Sequence, residues 1–289
     1  MFAITGVTGQ VGGAVARALI EAGRGVRAVV RDAKKGADWA RQGCEVAIAA
    51  LDDTAALKKA FAGAEGVFFL LPPVFDPAPD FDEARRVIAA VREALEATRP
   101  GRIVSLSTIG AQSPRPNLLQ QHGLQENSLG TLPLPITFLR AAWFMENATW
   151  DVASARTTGV IPSFLYPLEK PFPMVATADV GRVAAELLQQ SWQGKRVVEL
   201  EGTWLSPNDV AAEFTRVLRR DVRAEVVPRA TWETLFKSQG MKNPKPRIQM
   251  LDGFNEGWID FEGDARAIQK GSVQLNAVLR EFVARTHSA

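Results

Sequence analysis

A doubly wound α/β fold, with a parallel sheet covered by helices on both faces and a smaller C-terminal α/β lobe, is the architecture this 289-residue chain predicts. Three features carry that expectation. The chain opens with a strand, a glycine-rich turn and a helix in immediate succession. Short apolar runs then alternate with amphipathic helical stretches as far as Arg140. Those runs are continuous rather than alternating in polarity, which is the pattern of strands buried on both faces.

The elements follow in order. Phe2 to Val7 is the first apolar run, and Val11, Val15, Ala18, Leu19 and Ala22 then recur at helical spacing until Gly23 and Gly25 stop them. Between the two lies Ile4-Thr5-Gly6-Val7-Thr8-Gly9-Gln10-Val11-Gly12-Gly13, which has the form of a phosphate cradle. Gly6 takes the turn without a Cβ penalty, Gly9 lets backbone approach a pyrophosphate, and Gly12 or Gly13 lets the helix pack on the strand. The helix start offers free N–H groups and a positive dipole end to an anion. Thr8, Gln10 and Val11 complete the expected contacts to phosphate or ribose. The spacing is Gly-x-x-Gly-x-x-Gly rather than Gly-x-Gly-x-x-Gly, so its weight comes from the strand before it and the helix after it.

Val26 to Val30 reads as the second strand, ended by Arg31-Asp32. A basic residue here pairs with a 2′-phosphate, whereas an acid binds a ribose 2′-OH. Arg31 therefore points to NADP(H) in preference to NAD(H), with Lys34 and Lys35 adding positive potential; Asp32 as a ribose ligand is the competing assignment. Glu45 to Leu51 is the third strand, Thr54 to Phe61 a helix capped by Asp53 or Thr54, and Val67 to Leu71 the fourth strand. Pro72-Pro73 stops that strand at its carboxyl end, where an open α/β sheet binds ligand. Leu71, Pro72, Pro73 and Phe75 are thus expected on the nicotinamide side of the cleft. Asp80 to Thr98 is an amphipathic helix, and Ile103 to Ser107 the fifth strand, bringing the hydroxyls of Ser105 and Ser107 toward its end. A helix from about Pro116 to Leu129 and a sixth strand, Ile136 to Arg140, complete the alternation.

From Ala141 the chain becomes aromatic and proline-rich. Asp179 to Gln190 reads as a helix and Arg196 to Leu200 as a last strand; Ser206-Pro207-Asn208-Asp209 caps a further helix to Leu218, and Val273 to Ala284 reads as the last. The expected division assigns residues 1–147 and about 178–201 to a nucleotide-binding domain. Residues from about 148–177 and 202–289 form the substrate lobe.

Composition narrows the function. The chain is 46% hydrophobic and 23% charged, with a net charge of +2, which gives no support to a nucleic-acid partner. No run approaches the length of a membrane span, and the cradle begins almost at Met1, so no membrane partner and a cytoplasmic location are expected. The single cysteine, Cys44, excludes an intrachain disulfide, and with only His122 and His287 as histidines no metal site is expected.

The cradle, Val29-Val30-Arg31-Asp32, the run Ala62 to Pro72, and Leu139-Arg140-Ala141-Ala142-Trp143-Phe144-Met145-Glu146-Asn147 together resemble the NmrA-like family of atypical short-chain dehydrogenases/reductases. Thr177 to Ala185 looks like the family's segment returning from the second lobe. The pair His122 and Glu126 looks most like the quinone-reductase and azoreductase-type members. The resemblance implies an NADP(H)-binding Rossmann domain, a smaller substrate lobe and a cleft between them. It also implies either flavin-independent reduction of quinone-like acceptors or cofactor sensing with little turnover. One departure is Ala50, where the family often has an acid; Asp52 and Asp53 follow closely.

Catalytic groups are scarce. Tyr166 and Lys170 have the spacing of a dehydrogenase Tyr-x-x-x-Lys pair, but the prolines at 162, 167, 171 and 173 argue against the helix that pair needs. His122 and Glu126 share that spacing before the sixth strand, where an imidazole can orient a carbonyl or supply a proton and a carboxylate can hold its tautomer; an ordinary surface pair is the competing reading. Trp143 and Phe144 offer a flat apolar wall for a planar acceptor, though aromatic residues at a strand end are commonly core. The leading expectation is an NADPH-dependent oxidoreductase that passes hydride directly to a quinone- or azo-type small-molecule acceptor without flavin. A redox sensor that binds NADP(H) is the alternative. Reduction of an aromatic alkene or ketone would call for lysine at position 122. A homodimer is compatible with the amphipathic helices.

Overall fold

The structure, a computed structural model, describes residues 1–285, so His287 lies outside the described residues. Through Ala141 the chain alternates β1 (Phe2–Ile4), α1 (Gln10–Glu21), β2 (Val26–Val30), α2 (Ala33–Arg41), β3 (Glu45–Ile48), α3 (Thr54–Phe61), β4 (Gly66–Leu70), α4 (Asp82–Thr98), β5 (Ile103–Thr108), α5 (Gln120–Leu129) and β6 (Ile136–Ala141). There follow β7 (Trp143–Phe144), a 3-10 segment Met145–Asp151, α6 (Val152–Thr158), β8 (Val160–Ser163), β9 (Phe172–Val175), α7 (Thr177–Leu188) and β10 (Lys195–Glu201). The chain ends with β11 (Trp204–Leu205), α8 (Pro207–Leu218), β12 (Arg223–Val226), α9 (Trp232–Ser238), α10 (Lys245–Glu256), β13 (Gln269–Lys270) and α11 (Leu275–Arg285).

The main sheet has eight strands in the order β13-β10-β6-β5-β4-β1-β2-β3, every pair parallel. This is the doubly wound parallel sheet expected from the continuous apolar runs. The central strands are buried on both faces: Phe2, Ile4 and Phe68 belong to one core, Ala3, Val67 and Phe69 to the other. The first core lies under α1, α2 and α7, the second under α3, α4 and α5. Strand order reverses between β1 and β4, and the crevice at that switch point is where such sheets take ligand.

Close approach of α1 to α7 sets the back of the cradle. A Cβ on Gly181 of α7 would lie 2.3 Å from Ala14 Cβ on α1, so a larger residue would push the two helices apart. Two smaller sheets, β11-β9-β7 and β12-β8, carry the rest of the chain. Their cores center on Phe214 and Leu279, and on Trp232, Phe236 and Phe254. Full burial of such a side chain contributes about 1.5–3 kcal/mol, enough to hold an irregular, proline-rich lobe together.

Caps read from the sequence are formed. Asp53 accepts from Ala56 N at 3.0 Å, and Ser206 and Asp209 form a reciprocal capping box around Pro207. Several boundaries move. The third strand ends at Ile48 rather than Leu51, and the fourth helix begins at Asp82 rather than Asp80. The fifth helix begins at Gln120 rather than Pro116, because the Asn117 side chain accepts from Leu119 N at 2.7 Å and donates to Arg115 O, closing a local turn that competes with helix. The two-residue strand β13, too short to show a period, was not foreseen.

Candidate cofactor and acceptor site

The glycine triplet has one task per residue. Gly6 sits at φ +67°, the left-handed region that favours glycine. Gly9 is the N-cap of α1 and brings no capping side chain, so the first N–H groups of the helix face outward unsatisfied. Gly12 is the packing residue: a Cβ there would lie 2.3 Å from Gly6 O and 2.6 Å from Thr5 O. Thr5 Oγ1 accepts from Leu70 N at 3.1 Å, tying the end of β1 to the end of β4. Thr8 and Gln10 are exposed at the rim of this turn, whereas Val11 is buried beneath it. The shape fits a pyrophosphate: uncapped donors, a dipole end and no side chain in the way.

Beyond β2 the two competing residues separate. Asp32 is the N-cap of α2, its carboxylate accepting from Lys35 N at 3.0 Å. Arg31 is exposed and enters no ion pair with any described residue. Asp32 is thus occupied by the backbone while Arg31 is free to meet an anion. After β3, Asp53 is likewise a helix cap, leaving exposed Asp52 as the carboxylate near Ala50. An Arg31→Ala variant should weaken NADPH binding by about 1.5–3 kcal/mol, the size of a charge-assisted hydrogen bond to phosphate, and leave NADH binding within twofold. Parallel titrations of both cofactors check this, and equal weakening would overturn the assignment.

Next to the cradle a cavity of about 490 Å³ opens at the carboxyl ends of β4, β5 and β6. It is lined by Leu71, Pro73, Phe75, Ser107, His122, Trp143 and Phe144 among the residues expected there. The lobe supplies the far wall, including Met250 and Phe254, with Trp143 edge-on to Phe254 at 5.2 Å between ring centroids. Trp143 and Phe144 are half-buried in β7, neither fully core nor free. Phe75 is 42% exposed at the mouth and packs edge-on against Trp150 at 5.9 Å. The loop carrying Phe75 is latched to the lobe by Asp76, which accepts from Lys242 N and Asn243 N at 2.9 and 2.6 Å.

Three expected residues lie elsewhere. Pro72 is exposed and does not line the cavity. Ser105 is fully buried and accepts from Gln125 Nε2 at 2.6 Å; it shares the α5-facing side of β5 with Ser107 but lies two residues further from the strand end, beneath the cavity floor. Glu126 does not hold the tautomer of His122. It takes Arg140 Nε and Nη2 at 2.9 and 2.7 Å and Ser107 Oγ at 2.6 Å, and it opens onto a separate polar recess. Arg140, 5% exposed, also meets Glu262 at 2.7 Å and Glu199 at 3.7 Å. The carboxylate at 126 is therefore part of a charged network that fixes the ends of β5 and β6.

His122 is half-buried on the cavity wall, and its Nδ1 is buried without a partner. Burial pushes the imidazole down to about 4, against smaller opposing effects of the Gln125 amide and the Glu126 charge, so it is neutral at pH 7. The unfolded imidazole protonates near 6.5 and the folded one only near 4. Between those values the unfolded state holds more protons, so stability falls as pH drops through the window. The stability advantage of wild type over His122→Gln should therefore shrink by about 2 kcal/mol from pH 7 to 4.5. Denaturant titrations at the two pH values check this, and a constant difference would contradict it.

Sequence reasoning missed Gln121, Asp151 and Arg247, which also line the cavity. Gln121 donates to Val74 O and Leu118 O at 3.1 Å and leaves its Oε1 buried without a partner. Burial raises Asp151 to about 6. Arg247 comes from α10 and reaches Phe75, more than a hundred residues earlier in the chain, and nothing in its own stretch marks it. Tyr166 and Lys170 are parted: Tyr166 packs near Trp232, and Lys170 Nζ donates to Phe254 O and Asn255 O at the end of α10.

A glycine cradle at the switch point of a parallel sheet, with an apolar cleft between sheet and lobe, defines a Rossmann-type nucleotide-binding protein. The chain belongs to the NmrA-like family, whose model matches residues 1–260. It is similar to the (4-alkanoyl-5-oxo-2,5-dihydrofuran-3-yl)methyl phosphate reductase of Streptomyces griseus, at 28% identity over 78% of this chain and 76% of that one. It is similar to the NAD(P)H azoreductase of Xenophilus azovorans, at 26% identity over 89% and 85% of the two chains. The structure of the Escherichia coli NADPH-dependent quinone oxidoreductase QOR2 with NADPH superposes with a TM-score of 0.80, at 25% identity over 98% of this chain and 100% of that one.

Among the described residues no group of His, Cys, Asp and Glu is arranged to hold a metal, and no helix is long and apolar enough to cross a membrane.

Proposed function

We propose that this protein is an NADPH-dependent oxidoreductase that passes hydride directly to a planar, conjugated acceptor of quinone or azo type, without flavin, in the cytoplasm. The observation that carries the reading is the aromatic-walled cavity at the ends of β4, β5 and β6, which reaches the cradle through Leu70, the side chain that packs against Gly6. The reductase relatives, one of them with NADPH bound, add weight to it.

Bound nicotinamide supplies the hydride. Gly6, Gly9 and Gly12 hold the pyrophosphate with backbone alone, Arg31 the 2′-phosphate, and Leu71 and Pro73 the nicotinamide side of the cleft. Trp143, Phe144 and Phe254 give the acceptor apolar walls. His122, neutral at pH 7, donates or accepts a hydrogen bond without bringing charge into an apolar site. Quinone reduction asks for little more, because the product charge is delocalised and water can protonate it.

The few acid–base groups in the cleft also suit a protein that binds NADP(H) and signals its redox state. Anaerobic NADPH oxidation by flavin-free protein with a panel of quinones and azo dyes separates the two. Saturable, acceptor-dependent turnover supports the enzyme. Tight NADPH binding with no turnover on any acceptor moves the assignment to the sensor.

A further inference from the structure

Among the described residues Arg247 has no counterion, although it lines an apolar cleft. It sits in the first turn of α10, where the helix dipole already disfavours positive charge. Its guanidinium lies 4.5 Å from the Phe236 ring centroid and 6.0 Å from that of Phe75, and its one polar contact is a 3.8 Å approach of Nη1 to Met241 Sδ. No described carboxylate comes within ion-pair distance, and burial works against its charge with nothing opposing it. The other ionisable side chains of the cavity wall are His122, which is neutral, and Asp151, which feels burial but no charged neighbour.

A partly desolvated guanidinium without a carboxylate partner is a cost that nearby rings only partly offset. Its planar fork of donors matches a carboxylate, sulfonate or phosphate. Phe75, on which it leans, stands at the mouth, so an anion held there leaves the rest of a planar molecule pointing inward along Trp143 toward His122. We propose that Arg247 anchors an anionic substituent of the acceptor, so that the preferred acceptors of this cleft are negatively charged conjugated compounds rather than neutral ones. This rests on the assignment of the cleft as an acceptor site.

The test needs no turnover. Binding of naphthalene-2-sulfonate and of naphthalene-2-sulfonamide, its neutral counterpart, is measured by calorimetry on the NADPH-loaded wild type and on Arg247→Met and Arg247→Lys. Wild type should prefer the sulfonate by at least about tenfold, the size of a charge-assisted contact. Arg247→Met should lose that preference while binding the sulfonamide and NADPH as before; Arg247→Lys should keep part of it. Equal affinity of wild type for both ligands overturns the anchor but leaves the acceptor cleft standing. Equal weakening of both ligands in Arg247→Met makes Arg247 only a clamp on Phe75 and also overturns it. Failure of both ligands to bind wild type overturns the acceptor site and the anchor together.

Discussion

Gly12→Ala is expected to reduce NADPH affinity by at least about a hundredfold and to destabilise the fold by about 1–3 kcal/mol. The added Cβ would meet Gly6 O at 2.3 Å, Gly6 C at 2.4 Å and Thr5 O at 2.6 Å, all backbone atoms with no rotamer to change. Relief requires α1 to withdraw from the β1 turn, which moves the donors at its start away from the pyrophosphate. Gly9→Ala is the control for stability: its Cβ would meet only Gly6 O, at 3.4 Å. Cofactor titration of Gly12→Ala and thermal unfolding of both variants check this. Equal destabilisation at positions 9 and 12 would contradict the packing argument.

Arg140→Met should destabilise the protein by about 3–5 kcal/mol, because it strands Glu126 and Glu199 without their cation. The Glu126 carboxylate, which now accepts from Ser107 and Arg140 together, would keep only the Ser107 hydroxyl. The double variant Arg140→Met, Glu126→Gln removes one stranded charge and should recover part of the loss. Chemical denaturation of the single and double variants measures it, and a loss below about 1 kcal/mol would reduce the network to an ordinary surface cluster.

Much of this architecture was legible because it is local. The cradle, the strand-end Arg31 and the Ser206–Asp209 capping box each lie within a dozen residues and use backbone geometry that sequence spacing records. The motif from Arg140 to Asn147 was legible as a resemblance, and the structure divides it into separate tasks. Arg140 ties strand ends, Trp143 and Phe144 wall the cleft, and buried Glu146 accepts from Thr177 N and Oγ1 at 2.9 and 2.6 Å, holding the start of α7.

What was hidden depends on long-range contact. The four-residue spacing of His122 and Glu126 suggested one pair, yet Glu126 is claimed by an arginine 14 residues on, and the helix turns His122 toward the cavity instead. Ser105 and Ser107 read alike as strand-end hydroxyls but differ in whether they reach the cleft. Arg247 gave no signal, since an arginine in a helix's first turn says nothing about the two phenylalanines it will meet.

The most direct test of the central claim follows the hydrogen itself. Flavin-free protein is given NADPH carrying deuterium at one or the other C4 position, with an accepted quinone under anaerobic conditions, and the NADP⁺ formed is analysed for deuterium. Direct transfer within the cleft predicts retention from one diastereomer and loss from the other, dependent on both protein and quinone. Mixed retention from both, or oxidation only after flavin is added, would contradict it.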